Sequence, residues 1–349
     1  MASSLISFKL DDLPRPGDPE RAAAGLARWR EQGDEHAGFR AALAEDPAGR
    51  ALLDAVFGNS PFLTRCFLRD PDFVREVLTA GPDDTLRRVL GSLEVSLDRE
   101  TSLGKVEAGL RHAKRKAALA VGLADIAGLW TLAEVTQALT RVAETALGIC
   151  ARYVLGSAAA SGAISLADEA NPEQGSGYIV LGMGKLGAHE LNYSSDIDLI
   201  VLYDAGRVRC ADPDSLGKTF VRATRQLVHL MDAHTADGYV FRTDLRLRPD
   251  PGATPLAISV EAAEAYYESV GQNWERAAMI KARPVAGDIA AGEEFLHHLN
   301  PYIWRRHLDF ATIQDVHSIK RQIAAHRGGD TITVNGHNIK LGRGGIREI

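Results

Sequence analysis

The sequence predicts a predominantly helical α+β protein, in which a small mixed sheet with its own helices is flanked by helical regions. Three observations predict it. Apolar residues recur at three-four spacing from Pro19 to about Ala167, the pattern of helices that bury one face. Two short apolar runs follow, Tyr178–Leu181 and Leu199–Tyr203, of strand length and separated by a glycine-rich turn. A third segment, Tyr239–Pro249, alternates apolar and charged residues with the period of two expected of a strand. With 349 residues the chain can bury large cores. We divide it into a helical region (1–167), a catalytic core (168–258) and a mainly helical C-terminal region (259–349).

Taken in order, residues 1 to about 18 are rich in Ser, Pro and Asp and read as a loose arm. Arg21–Arg30 and Ala48–Phe57 have helical spacing, and Asn59-Ser-Pro61 and Asp70-Pro71 have the capping side chain and first-turn proline of helix starts. Thr85–Ala124 and Thr131–Ser157 read as two long helices, the first including a basic run, Arg111-His-Ala-Lys-Arg-Lys-Ala, which reads as a solvated helix face. Ala158–Gly177 is linker-like. Asp214–Ala236 reads as a helix crossing the sheet, with His229 and His234 as ordinary polar residues. Ser259 caps a further helix, which Trp274, Met279 and Ile280 are expected to pack against the core. Tyr302–His326 reads as another helix and Thr331–Leu341 as a hairpin turning at Asn335-Gly336.

The chemistry concentrates between Tyr178 and Asp204. Asp196 and Asp198, one residue apart at a strand entrance, point to one face. Neighbouring carboxylates repel, and a divalent cation removes that cost; Mg²⁺ takes oxygen ligands and is typically held by carboxylates and substrate phosphates. The plainer alternative for Asp-x-Asp is a solvated strand start. Gly182-Met-Gly184-Lys-Leu-Gly187 also fits a dinucleotide-binding fingerprint, with Asp204 ending the next strand. Only Ala188–Ser195 separate the turn from that strand, however, and a parallel crossover needs a helix of roughly three turns there.

The turn followed by Asp-x-Asp on a strand resembles the signature of the DNA polymerase beta-like nucleotidyltransferase superfamily, although Lys185 stands where its usual Ser would be. More narrowly, Gly182–Gly187, Glu190–Leu199 and Asp244-Leu-Arg-Leu-Arg-Pro249 resemble the glutamine synthetase adenylyltransferase/adenylyl-removing family. So do Gly58–Arg65, Trp274-Glu-Arg276, Ile280–Asp288 and Gly342–Ile349. The resemblance covers nearly the whole chain. It implies Asp196, Asp198 and Asp244 as catalytic ligands of Mg²⁺, two ions in number. It also implies Gly184, Lys185, Ser195, Arg242, Arg246 and Arg248 as phosphate or nucleotide contacts. On the alternating reading, Val240, Arg242, Asp244, Arg246 and Arg248 share one face of a third strand, and a plain edge strand with internal ion pairs is the alternative. Lys281 and Arg283 fit either a phosphate contact or a surface role.

The family divides its work between two catalytic domains: the C-terminal one adds AMP from ATP to a tyrosine of glutamine synthetase, and the N-terminal one removes it with inorganic phosphate, releasing ADP. Asn192-Tyr-Ser-Ser-Asp-Ile-Asp198 resembles the N-terminal version, so deadenylylation is expected, with adenylyl transfer from ATP or another substrate as the alternative. The resemblance further implies glutamine synthetase as protein substrate and a PII-type signalling protein as regulator. Composition limits the rest. A net charge of −6 argues against a nucleic-acid partner. Cys66, Cys150 and Cys210 lack metal-ligand spacing and read as free thiols of a cytoplasmic protein. No stretch has membrane-spanning length. A nicotinamide-dependent oxidoreductase and a non-catalytic regulatory fragment are the remaining readings. The chain stops at Ile349 inside a motif, and we read it as part of a longer protein.

Overall fold

Helix α1 (Pro19–Glu31) and α2 (Ala37–Glu45) are followed by α3 (Pro47–Asn59), α4 (Pro61–Arg69) and α5 (Pro71–Ala80), which start in the same way. A proline fills the first turn, where no backbone donor is needed, and Asp46, Ser60 and Asp70 accept the N–H groups of Gly49, Leu63 and Phe73. Helices α6 (Pro82–Ser96), α7 (Leu103–Ile126) and α8 (Leu132–Ala160) complete the region, α8 opening on a Thr131–Glu134 capping box. Trp29, fully buried, meets Phe39 and Phe67 edge-on at the centre of this bundle. In this computed structural model, the described residues are 13–304 except 32, 98–100 and 211, together with the isolated positions 6, 314 and 339.

The core follows as β1 (Tyr178–Gly182), the single-turn α9 (Gly184–Gly187), β2 (Ile197–Tyr203), α10 (Leu216–Asp232), β3 (Thr243–Asp244) and β4 (Ala257–Ser259). Then come α11 (Val260–Ser269), α12 (Asn273–Met279), β5 (Arg283–Gly287), α13 (Ile289–His298) and α14 (Asn300–Ile303). The sheet order is β3-β2-β1-β5, with β4 also pairing β2. β1 is antiparallel to β2 and β5, whereas β3 and β4 run parallel to β2. This is the small mixed sheet expected, and the antiparallel β1–β2 pair excludes the parallel crossover of a dinucleotide fold. β5 comes from beyond residue 258 yet completes the sheet.

Both faces of the sheet are covered. Tyr178, Val180, Leu199 and Val201 join the apolar core shared with α8, α10 and the helical region. Ile179, Leu181, Ile200 and Leu202 face the core built with α11 and the helices that follow. Ser259 caps α11 as expected. Cys66 and Cys150 are buried free thiols, and burial pushes Cys66 up to about 11. Among the described residues no helix is long and apolar enough to cross a membrane.

Four expectations need correction or fall outside view. The long helix over 85–124 is two helices, because Leu97 leaves the helical conformation and α7 folds back to set Gly109 against Leu93 and Leu97. Met279 is buried, but Trp274 and Ile280 are 41% and 49% exposed and do not pack the core. The alternating strand over Tyr239–Pro249 reduces to Thr243–Asp244. Val240 and Phe241 are both buried, their N–H groups both donate to the Met231 carbonyl, and the chain coils into a turn after Asp244. α14 ends at Ile303, and the rest of the expected Tyr302–His326 helix, the Thr331–Leu341 hairpin and the Gly342–Ile349 motif lie outside the described residues, apart from the isolated positions 314 and 339.

Candidate active site

The glycine-rich turn leaves β1 and is tied at once to the acidic strand: Met183 N–H donates to the Asp198 carbonyl at 2.9 Å. Gly184 sits in the left-handed region at φ +53°, and a Cβ there would stand 3.4 Å from Asp198 Oδ2, so the turn backbone lies against that carboxylate. Gly187 is required for another reason, since a Cβ would meet the Lys281 carbonyl oxygen at 1.7 Å. Arg283 braces the same turn from the far side, donating to the carbonyls of Leu186 and Gly187 at 3.2 Å each and pairing with Glu144. Lys281 pairs with Glu190 at 2.8 Å. Both residues therefore support the turn from outside. Lys185 is exposed on it.

Asp196 enters β2 from a polar loop in which Ser194 has φ +51°, a conformation that costs a non-glycine residue energy. Ser195 donates its N–H to the Asn192 carbonyl within this loop. Arg242 gathers the loop: it pairs with Asp196, donates to the Ser194 carbonyl at 2.6 Å and to the Tyr239 hydroxyl at 2.9 Å. The parallel register of β2 and β3 makes Asp198 and Asp244 direct partners. Asp244 accepts from the Arg246 backbone N–H at 2.8 Å and from its guanidinium at 2.9–3.0 Å. The Arg246 guanidinium thus holds the Asp244 carboxyl below the usual range, against the opposing effect of partial burial. Arg246 itself is held charged by Asp244, its direct partner, with smaller support from the charges of Asp198 and Asp196.

Arg248 is turned onto backbone carbonyls. Its guanidinium donates to the carbonyls of Leu245 and Pro251 at 2.8 Å and of Pro255 at 3.1 Å, closing the loop after β3. That loop, not a strand face, is what the third arginine serves.

Asp196, Arg242, Thr243 and Asp244 line a cleft of about 550 Å³ together with Asp232, Ala233 and His234. A larger cavity of about 760 Å³ lies elsewhere, among Glu94, Arg152, Tyr153 and the linker at Glu169–Pro172, and contains none of the three acids. Acid–arginine chemistry, not volume, marks the site. Sequence reading missed the His234–Tyr239 ring contact beside the cleft, with centroids 4.7 Å apart, because the two residues belong to a loop with no periodic signal. It also missed the Tyr193 hydroxyl, which donates to Asp125 at 3.1 Å.

Among the described residues no three His, Cys, Asp or Glu side chains converge as a ready-made metal cluster. The expected three-carboxylate cage is not preformed, since Asp196 and Asp244 are each turned onto an arginine. The donor set would suit Mg²⁺: all three candidate ligands offer carboxylate oxygens, two of them on register partners, and the arginines balance the same negative charge that the ion would.

A family model described as glutamate–ammonia ligase adenylyltransferase matches residues 51–298. Three relatives described as bifunctional glutamine synthetase adenylyltransferase/adenylyl-removing enzymes are similar to between 85% and 99% of the chain. The one from Brucella suis biovar 1 (strain 1330) is 50% identical over 337 residues, 96% of this chain and 34% of the relative. That from Rhizobium meliloti (strain 1021) is 47% identical over 358 residues, 99% of this chain and 36% of the relative. That from Bartonella quintana (strain Toulouse) is 49% identical over 300 residues, 85% and 31%. The chain spans about a third of the length of these curated relatives.

Proposed function

Since the chain belongs to the glutamate–ammonia ligase adenylyltransferase family, we propose that it removes AMP from an adenylylated tyrosine of glutamine synthetase by Mg²⁺-dependent phosphorolysis, releasing ADP. The observation that supports this most is the register pairing of Asp198 with Asp244, directly beside the Gly184 backbone and next but one to Asp196. Asp196, Asp244 and Arg242 line one cleft, and the Gly184 backbone lies against Asp198, the register partner of Asp244. Removal rather than addition rests on Asn192–Asp198, which resembles the N-terminal domain of the family.

An oxygen of inorganic phosphate forms a bond to the phosphorus of the AMP group, the bond from that phosphorus to the tyrosine oxygen breaks, and the phenolate takes a proton. Phosphate is anionic at neutral pH, so the nucleophile needs no strong general base, and a phenol has a pKa of about 10, so phenolate leaves without a strong general acid. Asp196, Asp198 and Asp244 would hold Mg²⁺, which neutralises charge on the phosphoryl and leaving oxygens. Arg242 and Arg246, displaced from the acids, would turn their planar forks to phosphate oxygens, and Lys185 adds charge from the turn. Gly184 leaves room for phosphate against the turn backbone.

Incubation of this protein with adenylylated glutamine synthetase, Mg²⁺ and phosphate tests the proposal. ADP release that requires phosphate and vanishes in Asp196→Ala is the expected result. AMP incorporation from ATP into unmodified synthetase, without ADP release, would reassign the direction.

A further inference from the structure

The basic run of α7 is not a solvated face. Arg111 is only 1% exposed, and its guanidinium crosses out of the helical region into the core. It donates to the carbonyls of Gly238 at 2.9 Å and of Ala233, and anchors itself on the Glu107 carbonyl of its own helix. These two distant carbonyls bracket the first part of the loop that leads from α10 to β3. Within that loop Asp237 is held by Arg69 at 2.7 Å and by His112 and Arg115 at 3.3 and 3.8 Å. The Lys114 ammonium lies 3.5 Å from the centroid of the Phe241 ring, three residues before Asp244. Further along the same helix, Asp125 and the Val121 carbonyl receive the Tyr193 hydroxyl, which fixes the loop entering β2. The segments that present Asp196 and Asp244 therefore both rest on one helix that contributes no acid to the site.

We propose that α7 is a positioning element of the active site and that Arg111 sets the place of β3, hence of Asp244. The physical case is that β3 has only two residues and cannot locate itself by its own ladder. Arg111 replaces that missing ladder with charge-assisted hydrogen bonds to backbone carbonyls in a place shielded from water. A displacement of about 1 Å in a reacting group is enough to cost about a hundredfold in rate. The consequence for turnover rests on the function proposed above; the consequence for the backbone does not.

Arg40 supplies the control. It is equally buried, at 3% exposure, and it donates to a loop carbonyl, that of Gly33, but the contact stays inside the helical region. Arg111→Met and Arg40→Met should both lower the melting temperature. Compared below those temperatures, Arg111→Met should lower kcat for ADP release by about ten- to a hundredfold with little change in KM, and Arg111→Lys should recover part of it. Amide hydrogen exchange over 239–246 should speed up about tenfold or more in Arg111→Met and stay unchanged in Arg40→Met. Equal losses of kcat in the two variants, or unchanged exchange at 239–246 in Arg111→Met, would overturn the proposal. If Arg111→Met does not fold, Asp237→Ala, on a part-exposed residue, takes its place: faster exchange over 233–246 supports the proposal and unchanged exchange overturns it. A wild-type protein that releases no ADP would remove the function proposed above, while the exchange measurement would still decide the role of Arg111.

Discussion

The antiparallel β1–β2 pair and the β3 segment each present one acid of the Asp198–Asp244 partnership, but they are held in place by different forces. β1 and β2 are joined along five residue pairs, and Ile179, Val180, Leu181, Ile200 and Val201 are fully buried. Backbone ladder and apolar burial fix Asp198. β3 shares two residue pairs with its neighbour. Its position comes from Arg111, Arg242, Arg246 and Arg248, whose guanidinium groups reach backbone carbonyls and carboxylates around it. One acid sits on a strand placed by its own ladder and apolar burial, the other on a segment placed by side chains that reach it from elsewhere in the chain.

The strongest way to break this contrast is to show that only one wall matters. Asp196→Ala and Asp244→Ala should each lower turnover by about a thousandfold or more while the protein stays folded; retained activity in either variant would sink the three-carboxylate site. Next in size, Ile200→Ala removes a fully buried side chain of β2 and should cost about 2–5 kcal/mol in chemical denaturation, while Leu245→Ala, at 8% exposure beside β3, should fall at or below the lower end. Gly187→Ala forces a methyl onto the Lys281 carbonyl and should cost about 1–3 kcal/mol, read from the same denaturation curves.

Smaller effects sharpen the picture of the side-chain-held wall. Arg248→Ala should cost about 1–2 kcal/mol through the carbonyls it leaves unpaired, with faster amide exchange confined to the loop after β3. Arg246→Ala should leave the unfolding transition nearly unchanged, since the guanidinium is 84% exposed and its pairing is screened by water. Its signature is a rise of the Asp244 pKa toward the ordinary carboxylate value in an NMR titration. The sign follows from linkage. A carboxyl depressed in the folded state adds stability above its unfolded pKa of about 4 and loses it as pH falls through the lower folded value, and that acid-side contribution should shrink in the variant.

What the amino-acid pattern revealed follows the same division. The runs Tyr178–Leu181 and Leu199–Tyr203 announce buried strands because burial on both faces demands continuous apolar residues. The prolines at 61 and 71 announce helix starts because their missing donors are spared there. β3 was misjudged as a full strand because alternation in Tyr239–Pro249 imitates a pleat, whereas Arg111, 127 residues away from Gly238, decides its course. The basic run of α7 looked solvated because periodicity cannot tell which side of a helix another loop will cover. Arg248, Arg283 and Lys281 are chemically equal to phosphate-binding residues in sequence, and the pattern carries no sign of the carbonyls and carboxylates folded around them.

The strand order also bears on how the chain comes to be folded as it is made. Residues 19–160 form their helices from neighbours in sequence and can assemble early during synthesis. β1 cannot be covered on its outer edge until β5, ending at Gly287, has left the ribosome, so an apolar strand waits with an open row of hydrogen-bonding groups while more than a hundred residues are added. Glu173 closes that arrangement by accepting the Gly287 N–H at 2.8 Å, a contact spanning 114 residues. Truncations that stop short of Gly287 would therefore leave nascent chains exposed to edge-to-edge association, and the safe boundaries for expressing this region lie beyond it.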